Sequence, residues 1–309
     1  MKYQLFTYQG ESGARPGIVV DGQHYDLLKA DPSISWRSLD DVLDDWVEAE
    51  QKLGALAKRL YKNEVVAANL GSSVPFLVPV TRCRTIYGAG ANYRDHVEAM
   101  AKVLNMNLET DPKAAGVPPW HFLKAGQATL AAHQQQVPMP LNTSKLDWEA
   151  ELAVIIGREA YQVSEEQALD YVAGYSCAND LSARDHLKRK NVDPASPFSF
   201  DWIGQKCFTG SCPLGPYITP AEFIASPENL GIKLWLNGEL KQDSNTSNHL
   251  YTVAEQISYL SQRIHLLPGD ILLTGTPAGV GMESGVFLKQ GDSMTVWIDG
   301  LGELENTIS

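Results

Sequence analysis

The alternation of apolar and polar residues predicts a chain built mostly of short strands. Residues 1 to about 35 read as strands broken by glycine turns, and Asp21-Gly22 between two apolar runs predicts a hairpin. From Ser38 to Tyr61 apolar residues recur with helical spacing, and Ser38 and Asp41 form a capping pair at the start. Shorter helices are predicted over roughly 164–172, 180–190 and 252–264.

A proline-containing stretch around Pro75 and Pro79 predicts a domain boundary, with a small N-terminal α/β domain over residues 1–78 and a larger domain over 79–309. The larger domain holds most of the strand patterns and few helical ones. The predicted fold class is therefore mainly β with peripheral helices, an α+β arrangement. Residues 104–120 are polar, proline-containing and without period, which predicts a long loop that is either functional or disordered. The segment 101–120 could close over a site.

One predicted strand, LDWEAELAVIIG, places Glu149 and Glu151 side by side on one face. The opposite face is apolar and comprises Trp148, Ala150, Leu152, Val154 and Ile156. Two carboxylates this close repel each other unless a cation lies between them. The pair would also be compatible with a solvent-exposed strand face at a sheet edge. However, Ala153 and Ile155 continue the same face as apolar residues, which indicates that the glutamates border buried surface. The pattern therefore favours a pair of metal ligands.

A third carboxylate, Asp180, follows the apolar run YVAGYSCAN. An aspartate there is also compatible with a helix N-cap. Three converging carboxylates would suit a hard cation such as Mg²⁺ or Mn²⁺. A lone histidine such as His96 is by itself more often a structural residue than a catalytic one.

Charge, hydropathy and cysteine content argue against several classes of partner and of protein. The chain of 309 residues has 37 acidic and 25 basic residues and a formal net charge of −12, which disfavours nucleic acid and anionic membranes as partners. No apolar run predicts a signal peptide or a membrane span, and the four cysteines form no C-x-x-C pair. We therefore expect a cytoplasmic protein with free thiols.

Six segments resemble, in order, signature segments of the fumarylacetoacetate hydrolase (FAH) superfamily over most of residues 82–309. They are YGAGANYRDH, KLDWEAELAVIIG, GYSCANDLSARD, GQKCFTGSCPLGP, LNGELKQDSNTSN and LLPGDILLTGTPAGVG. The resemblance implies an FAH-type mixed β-sandwich or β-roll catalytic domain and a homodimer. It also implies a divalent cation, Mg²⁺ or else Mn²⁺ or Ca²⁺, held by Glu149, Glu151 and Asp180.

The same resemblance implies roles for further residues. His96 matches the histidine that activates water or moves a proton, and Lys206 matches a lysine that faces the substrate. Many relatives pair the histidine with a glutamate three residues later; that position is Ala99 here, and Glu98 is the nearby acid, a third catalytic candidate. Leu187 stands where relatives often have glutamine. The candidate substrate-binding residues are Tyr93, Lys124, Arg184 and Thr276.

These features predict a metal-dependent hydrolase that cleaves a carbon–carbon bond in a small 1,3-dicarbonyl oxo-acid, of the acylpyruvate or fumarylacetoacetate kind, through a metal-bound enolate. A decarboxylase of oxaloacetate-like acids and a 2-oxo acid isomerase remain alternatives because they use the same site. A catalytically silent ligand-binding protein is the alternative from another class. The retention of three carboxylates together with His96 and Lys206 argues against it.

Overall fold

The computed structural model describes residues 1–65, 69–71, 73–105 and 109–309. Its strands, in chain order, are β1 (Gln4–Gly10), β2 (Gly13–Val20), β3 (Gln23–Asp26), β4 (Phe76–Leu77), β5 (Ile86–Ala89), β6 (His121–Lys124), β7 (Leu130–Ala131), β8 (Gln136–Val137), β9 (Leu146–Asp147), β10 (Ala150–Ile156), β11 (Val172–Asn179), β12 (Ser182–Ala183), β13 (Cys212–Pro220), β14 (Gly231–Leu236), β15 (Glu239–Asn245), β16 (Ile271–Leu273), β17 (Ser293–Ile298) and β18 (Gly302–Ile308). The helices are α1 (Leu27–Ala30), α2 (Leu39–Asp44), α3 (Trp46–Tyr61), α4 (Arg94–Leu104), α5 (Glu165–Ala168), α6 (Trp202–Lys206), α7 (Val253–Ser261) and α8 (Gly281–Ser284).

A large mixed sheet forms the centre of the molecule, with the order β3-β2-β1-β13-β11-β10-β16-β5-β6; β4 pairs with β1 and β7 with β13. A five-stranded sheet, β15-β14-β17-β18-β8, packs on one face of it, and β9 and β12 form a separate pair. Alternate residues of β10 serve the two faces: Leu152 and Val154 pack towards the five-stranded sheet, whereas Ala153 and Ile155 pack towards α2 and α3. The predicted mainly β, α+β architecture is confirmed.

The N-terminal elements share the large sheet. Leu5 of β1 is paired with Ile218 of β13, and the apolar side chains of α2 and α3 pack on the centre of this sheet. The hairpin at Asp21-Gly22 is present, with both residues at positive φ (50° and 72°), and Ser38 and Asp41 form the expected capping box. The domain division at residue 78 stays a prediction.

One helix prediction is wrong. Over 180–190 the chain forms β12 and a 3₁₀ turn at Arg184–His186 instead of a helix, because Ser182 and Ala183 pair with Asp147 and Leu146 of β9. The predictions over 164–172 and 252–264 correspond to α5 with a following 3₁₀ turn, and to α7.

The segment predicted as a long loop, residues 104–120, begins one residue later than predicted. Helix α4 extends to Leu104, and residues 106–108 of the predicted loop lie outside the described residues. Its last part is tied to the rest of the chain, since the hydroxyl of Tyr251 donates to the carbonyl of Val117 and Gly90 N–H donates to the carbonyl of Trp120 at 3.0 Å. Closure over the site stays a prediction. Among the described residues, no helix has the length and apolarity needed to cross a membrane.

Candidate active site

Strands β10 and β11 bring three carboxylates together. Glu149 lies just before β10, Glu151 lies in it, and Asp180 follows β11, whose residue Asn179 is paired with Ala150. The backbone locks this corner, because Asp180 N–H donates to the carbonyl of Glu149 at 2.8 Å and Glu149 N–H donates to Asn179 Oδ1 at 2.9 Å. One oxygen of each carboxylate lies within 4.8 Å of the others, and all three residues are buried.

Three cationic side chains compensate two of these carboxylates. The ammonium of Lys206 lies 2.7 Å from Glu149 Oε2 and 2.6 Å from Asp180 Oδ2. Lys124 lies 2.6 Å from Asp180 Oδ1, and Arg184 lies 2.6 Å from Glu149 Oε1. Arg184 also donates from Nε to Asp147 Oδ2 at 2.9 Å. The predicted residues Lys124, Arg184 and Lys206 are thus all gathered around the carboxylates.

Glu151 differs from its two neighbours. Its Oε2 accepts a hydrogen bond from Gly275 N–H at 2.7 Å, but in the described part of the chain no lysine, arginine or histidine lies within ion-pair distance of it. Burial, together with the negative charges of Asp180 and Glu149, raises the pKa of Glu151 well above its usual value. A cation is what this carboxylate lacks.

The neighbouring carboxylate behaves in the opposite way. Burial alone would raise the pKa of Glu149, but the charges of Lys206 and Arg184 outweigh it and lower the pKa below its usual range. Burial would likewise lower the pKa of Lys206, and Asp180 and Glu149 reverse that and raise it. A buried all-oxygen set with one uncompensated member fits a hard divalent cation. Glu149, Glu151 and Asp180 are the residues that would hold it.

His96 has an acidic partner from a distant part of the chain. Its Nδ1 lies 3.0 Å from Oε1 of Glu283, in α8, and Oε2 of this glutamate accepts a hydrogen bond from Gly279 N–H at 2.7 Å. Glu98, the acid proposed from the sequence, is exposed and does not line the cavity beside His96. The structure therefore gives the partner position to Glu283, which the sequence pattern did not identify.

The glycine-rich segment after β16 borders the same site. Gly275 adopts φ 100°, and a Cβ there would lie 2.8 Å from the Cβ of Asn92, so only glycine lets its N–H approach Glu151. The hydroxyl of Thr276 accepts a hydrogen bond from Gln242 Nε2 at 2.9 Å and faces the cavity. The segment thus helps to hold the carboxylates and to line the site.

A cavity of about 390 Å³ opens on these groups. Of the predicted site residues, those that line it are His96, Glu149, Glu151, Arg184, Lys206 and Thr276. Asp180 and Lys124 lie beneath them in the ion-pair network. Tyr93 does not line the cavity; its buried ring packs edge-on against His249, with centroids 4.6 Å apart.

Three residues of the site were not identified from the sequence: Asp147, Gln205 and Glu283. Asp147 is fully buried and accepts hydrogen bonds from Gly281 N–H, at 2.6 Å, and from Met282 N–H, at 3.0 Å, so it ties α8 to Arg184. The alternation of the sequence puts Asp147 on the same predicted face as Glu149 and Glu151, a signal that could have revealed it. Glu283 and Gln205 lie in short helices without a telling pattern.

Known proteins are similar to this chain over most of its length. The family model described as fumarylacetoacetate (FAA) hydrolase C-terminal matches residues 85–309. The mitochondrial oxaloacetate tautomerase of Xenopus laevis is 33% identical over 315 residues, which cover 100% of this chain and 91% of that protein. The cytoplasmic location expected from the sequence, like the homodimer, stays a prediction.

Two solved structures are similar along the chain. Fumarylacetoacetate hydrolase from the psychrophile Exiguobacterium antarcticum is 30% identical, with a TM-score of 0.78 and coverage of 99% of both chains. Fumarylpyruvate hydrolase from Pseudomonas aeruginosa, solved in complex with Mn²⁺ and pyruvate, is 31% identical, with a TM-score of 0.62 over 77% of this chain and 93% of that one. The chain described here belongs to the fumarylacetoacetate hydrolase family.

Proposed function

We propose that this protein is a divalent-metal-dependent hydrolase that cleaves a carbon–carbon bond in a small 1,3-dicarbonyl acid of the acylpyruvate class. The observation that carries the proposal is that His96, which is paired with Glu283, lines the same cavity as Glu149 and Glu151 of the three-carboxylate cluster. The cavity of about 390 Å³ is within the roughly 300–1,000 Å³ of small-molecule sites. The relative from Pseudomonas aeruginosa, a hydrolase solved with Mn²⁺ and pyruvate, supports the substrate class.

The cation would be held by Glu149, Glu151 and Asp180, and when bound it supplies Lewis acidity and a template for the oxo-acid oxygens. The protein's own groups do the rest. When His96 donates its Nδ1–H to Glu283, its Nε2 is left as an acceptor for a proton of water. The carboxylate of Glu283 then stabilises the imidazolium that forms.

In the reaction, water adds its oxygen to the distal carbonyl carbon, and the bond from that carbon to the methylene group breaks. The acyl part leaves as a carboxylic acid, and the methylene carbon takes a proton, which His96 can return, to give pyruvate. Lys206 lies where its ammonium can stabilise negative charge on a substrate oxygen. The burial of the site strengthens each of these interactions.

A second candidate is keto–enol isomerisation of oxaloacetate. The relative from Xenopus laevis that carries this activity aligns with the whole chain. The same histidine would then move a proton between carbon and oxygen, and no water would attack. The cavity of about 390 Å³ also has room for the acyl chain that the hydrolysis of an acylpyruvate requires.

The test is a substrate panel with metal-stripped protein to which Mg²⁺ or Mn²⁺ is returned. Loss of enol absorbance and release of pyruvate are measured for several acylpyruvates and for oxaloacetate, with and without EDTA. Hydrolysis predicts metal-dependent loss of an acylpyruvate with equimolar pyruvate. Isomerisation predicts a change of oxaloacetate absorbance without pyruvate. No metal-dependent change with any substrate would refute the enzyme proposal for these acids.

A further inference from the structure

Part of the cavity wall is aromatic. Phe122 and Trp202 stack with their ring centroids 6.1 Å apart, Trp120 lies 5.1 Å from Trp202, and the ammonium of Lys206 lies 4.8 Å from the centroid of Phe122. The aromatic wall thus begins directly beside the ion-paired lysine. Helix α6 supplies three of the lining residues, Trp202, Gln205 and Lys206.

Gln205 is the polar group set into this wall. The residue is 3% exposed, and within the described residues its Oε1 has no hydrogen-bond partner. Three other buried amides near the site are engaged, one of them Asn179, which accepts a hydrogen bond from Glu149 N–H at 2.9 Å. Asn92 donates to the carbonyls of Tyr251 and Thr274, and Gln242 donates to Thr276. A buried amide oxygen without a partner is unfavourable, so the amide of Gln205 is placed to bind a ligand.

The basic side chains that line the cavity already have carboxylate partners. Lys206 contacts Glu149 and Asp180, Arg184 contacts Asp147 and Glu149, and His96 contacts Glu283. Among the described lining residues, no further cation is available for a second carboxylate on the substrate. An anionic tail buried beside aromatic rings would lose its hydration without gaining a partner.

We propose that the acyl tail of the substrate is uncharged and carries a hydroxyl group, which hydrogen-bonds to Gln205 while the aromatic wall covers its carbon atoms. The inference rests on the proposed function and specifies its substrate class. A hydroxyl group both donates and accepts, so it satisfies the amide of Gln205 without adding charge. Gln205 is then the residue that selects a hydroxylated 2,4-dioxo acid over a dicarboxylic one.

The test compares six-carbon 2,4-dioxo acids whose tails are ethyl, hydroxyethyl or carboxymethyl. For the unaltered protein we expect kcat/KM for the hydroxyethyl acid to exceed that for either of the others at least about tenfold, as for sites built to bind a substrate hydroxyl. In Gln205→Met, which keeps an unbranched side chain, the hydroxyethyl-to-ethyl ratio should fall to near one. Ile203→Ala, an exposed change on the same helix, should keep the ratio.

An unchanged ratio in Gln205→Met, or a preference for the carboxymethyl acid, would overturn the inference. Titration with Mn²⁺ checks that each variant retains its folded site, and Gln205→Leu is a second variant if the first does not fold. If no acid is turned over, the proposed function fails, and affinity is measured instead from quenching of tryptophan fluorescence, since Trp120 and Trp202 line the cavity. Tighter binding of the hydroxyethyl acid that depends on Gln205 supports the inference, and equal binding of all three acids refutes it.

Discussion

His96 and Glu283 are 187 residues apart in the chain, yet Nδ1 of the histidine lies 3.0 Å from Oε1 of the glutamate. The second oxygen of Glu283 is fixed by the N–H of Gly279, so the carboxylate has little freedom to turn away. Asp147 holds the start of the same helix through Gly281. The orientation of the proposed base is therefore set by a turn at the far end of the sequence.

Replacing Glu283 should slow the reaction without emptying the site. In Glu283→Gln the amide no longer compensates an imidazolium and can favour the wrong tautomer of His96, so we expect kcat to fall about 10²–10⁴-fold. Affinity for Mn²⁺, measured by calorimetry, should stay within about threefold, because Glu283 is not among the three clustered carboxylates.

The matched control is Glu98→Gln, which changes the exposed acid two residues after His96. Its kcat should stay within about twofold of that of the unaltered protein, since exposed substitutions have small effects. The opposite ranking, with Glu98→Gln the slower variant, would contradict the assignment of Glu283.

Replacing Glu151 should abolish tight metal binding. Loss of an outer-sphere partner lowers metal affinity about 10–100-fold, and loss of a direct ligand should lower it by at least about 100-fold. Calorimetric titration of Glu151→Gln with Mg²⁺ and Mn²⁺ measures this change, with the exposed substitution Glu303→Gln as control. Unchanged affinity would exclude Glu151 as a ligand.

The same substitution should also change how the stability of the metal-free protein depends on pH. The folded-state pKa of Glu151 is raised, so its contribution to stability in the metal-free protein is present below the unfolded-state pKa and is lost as pH rises through the folded-state pKa. The melting temperature of metal-free Glu151→Gln should therefore rise relative to that of the unaltered protein as pH increases above about 4.3. A difference in melting temperature that stays constant across the pH range would show that the pKa of Glu151 is not raised in the folded protein.

Removing the ammonium of Lys206 should destabilise the metal-free protein. Lys206→Met leaves Glu149 and Asp180 without a shared cation, and breaking a buried pair typically lowers the free energy of unfolding by about 3–5 kcal/mol. The exposed pair of Lys233 and Asp243 provides a control, since Lys233→Met should lower it by at most about 1 kcal/mol. Urea unfolding measures both, and equal effects would contradict the inferred importance of the buried network.

The cavity wall can be tested through a glycine. A Cβ at Gly90 would overlap the ring of Trp120, so Gly90→Ala should displace that ring and lower kcat/KM about tenfold or more while leaving Mn²⁺ affinity unchanged. Gly54→Ala in α3 has open space at its Cβ and should instead raise the free energy of unfolding by about 0.5–1 kcal/mol. Full activity in Gly90→Ala would show that Trp120 is not needed for binding.

The features of the fold and the site that could be predicted from the sequence are those set by local patterns. The alternation around Glu149 and Glu151 is a property of a single strand, and the pairing of β10 with β11 then places Asp180 beside them. The hairpin at Asp21-Gly22 and the capping box at Ser38 are likewise set by neighbouring residues. Such features depend on short-range backbone geometry, which the sequence encodes directly.

The features that could not be predicted depend on contacts between distant segments. Glu283 becomes the partner of His96 only when α8 packs near α4, and nothing in its own surroundings marks it as catalytic. The helix expected over 180–190 gave way to strand pairing with Asp147, a tertiary interaction that overrode local preference. Gln205 stands out only because the fold buries its amide beside a cavity.

Hydrolysis, as we propose it, adds water guided by His96 and Glu283 across a carbon–carbon bond. The most direct measurement is turnover of an acylpyruvate in H₂¹⁸O by the Mg²⁺- or Mn²⁺-loaded protein, with mass spectrometry of the products. We predict that one ¹⁸O atom per turnover enters the carboxylate of the released acid, and that the rate of this labelling falls about 10²–10⁴-fold in Glu283→Gln. Loss of enol absorbance with no labelled acid and no pyruvate would contradict it and show that the site only moves protons.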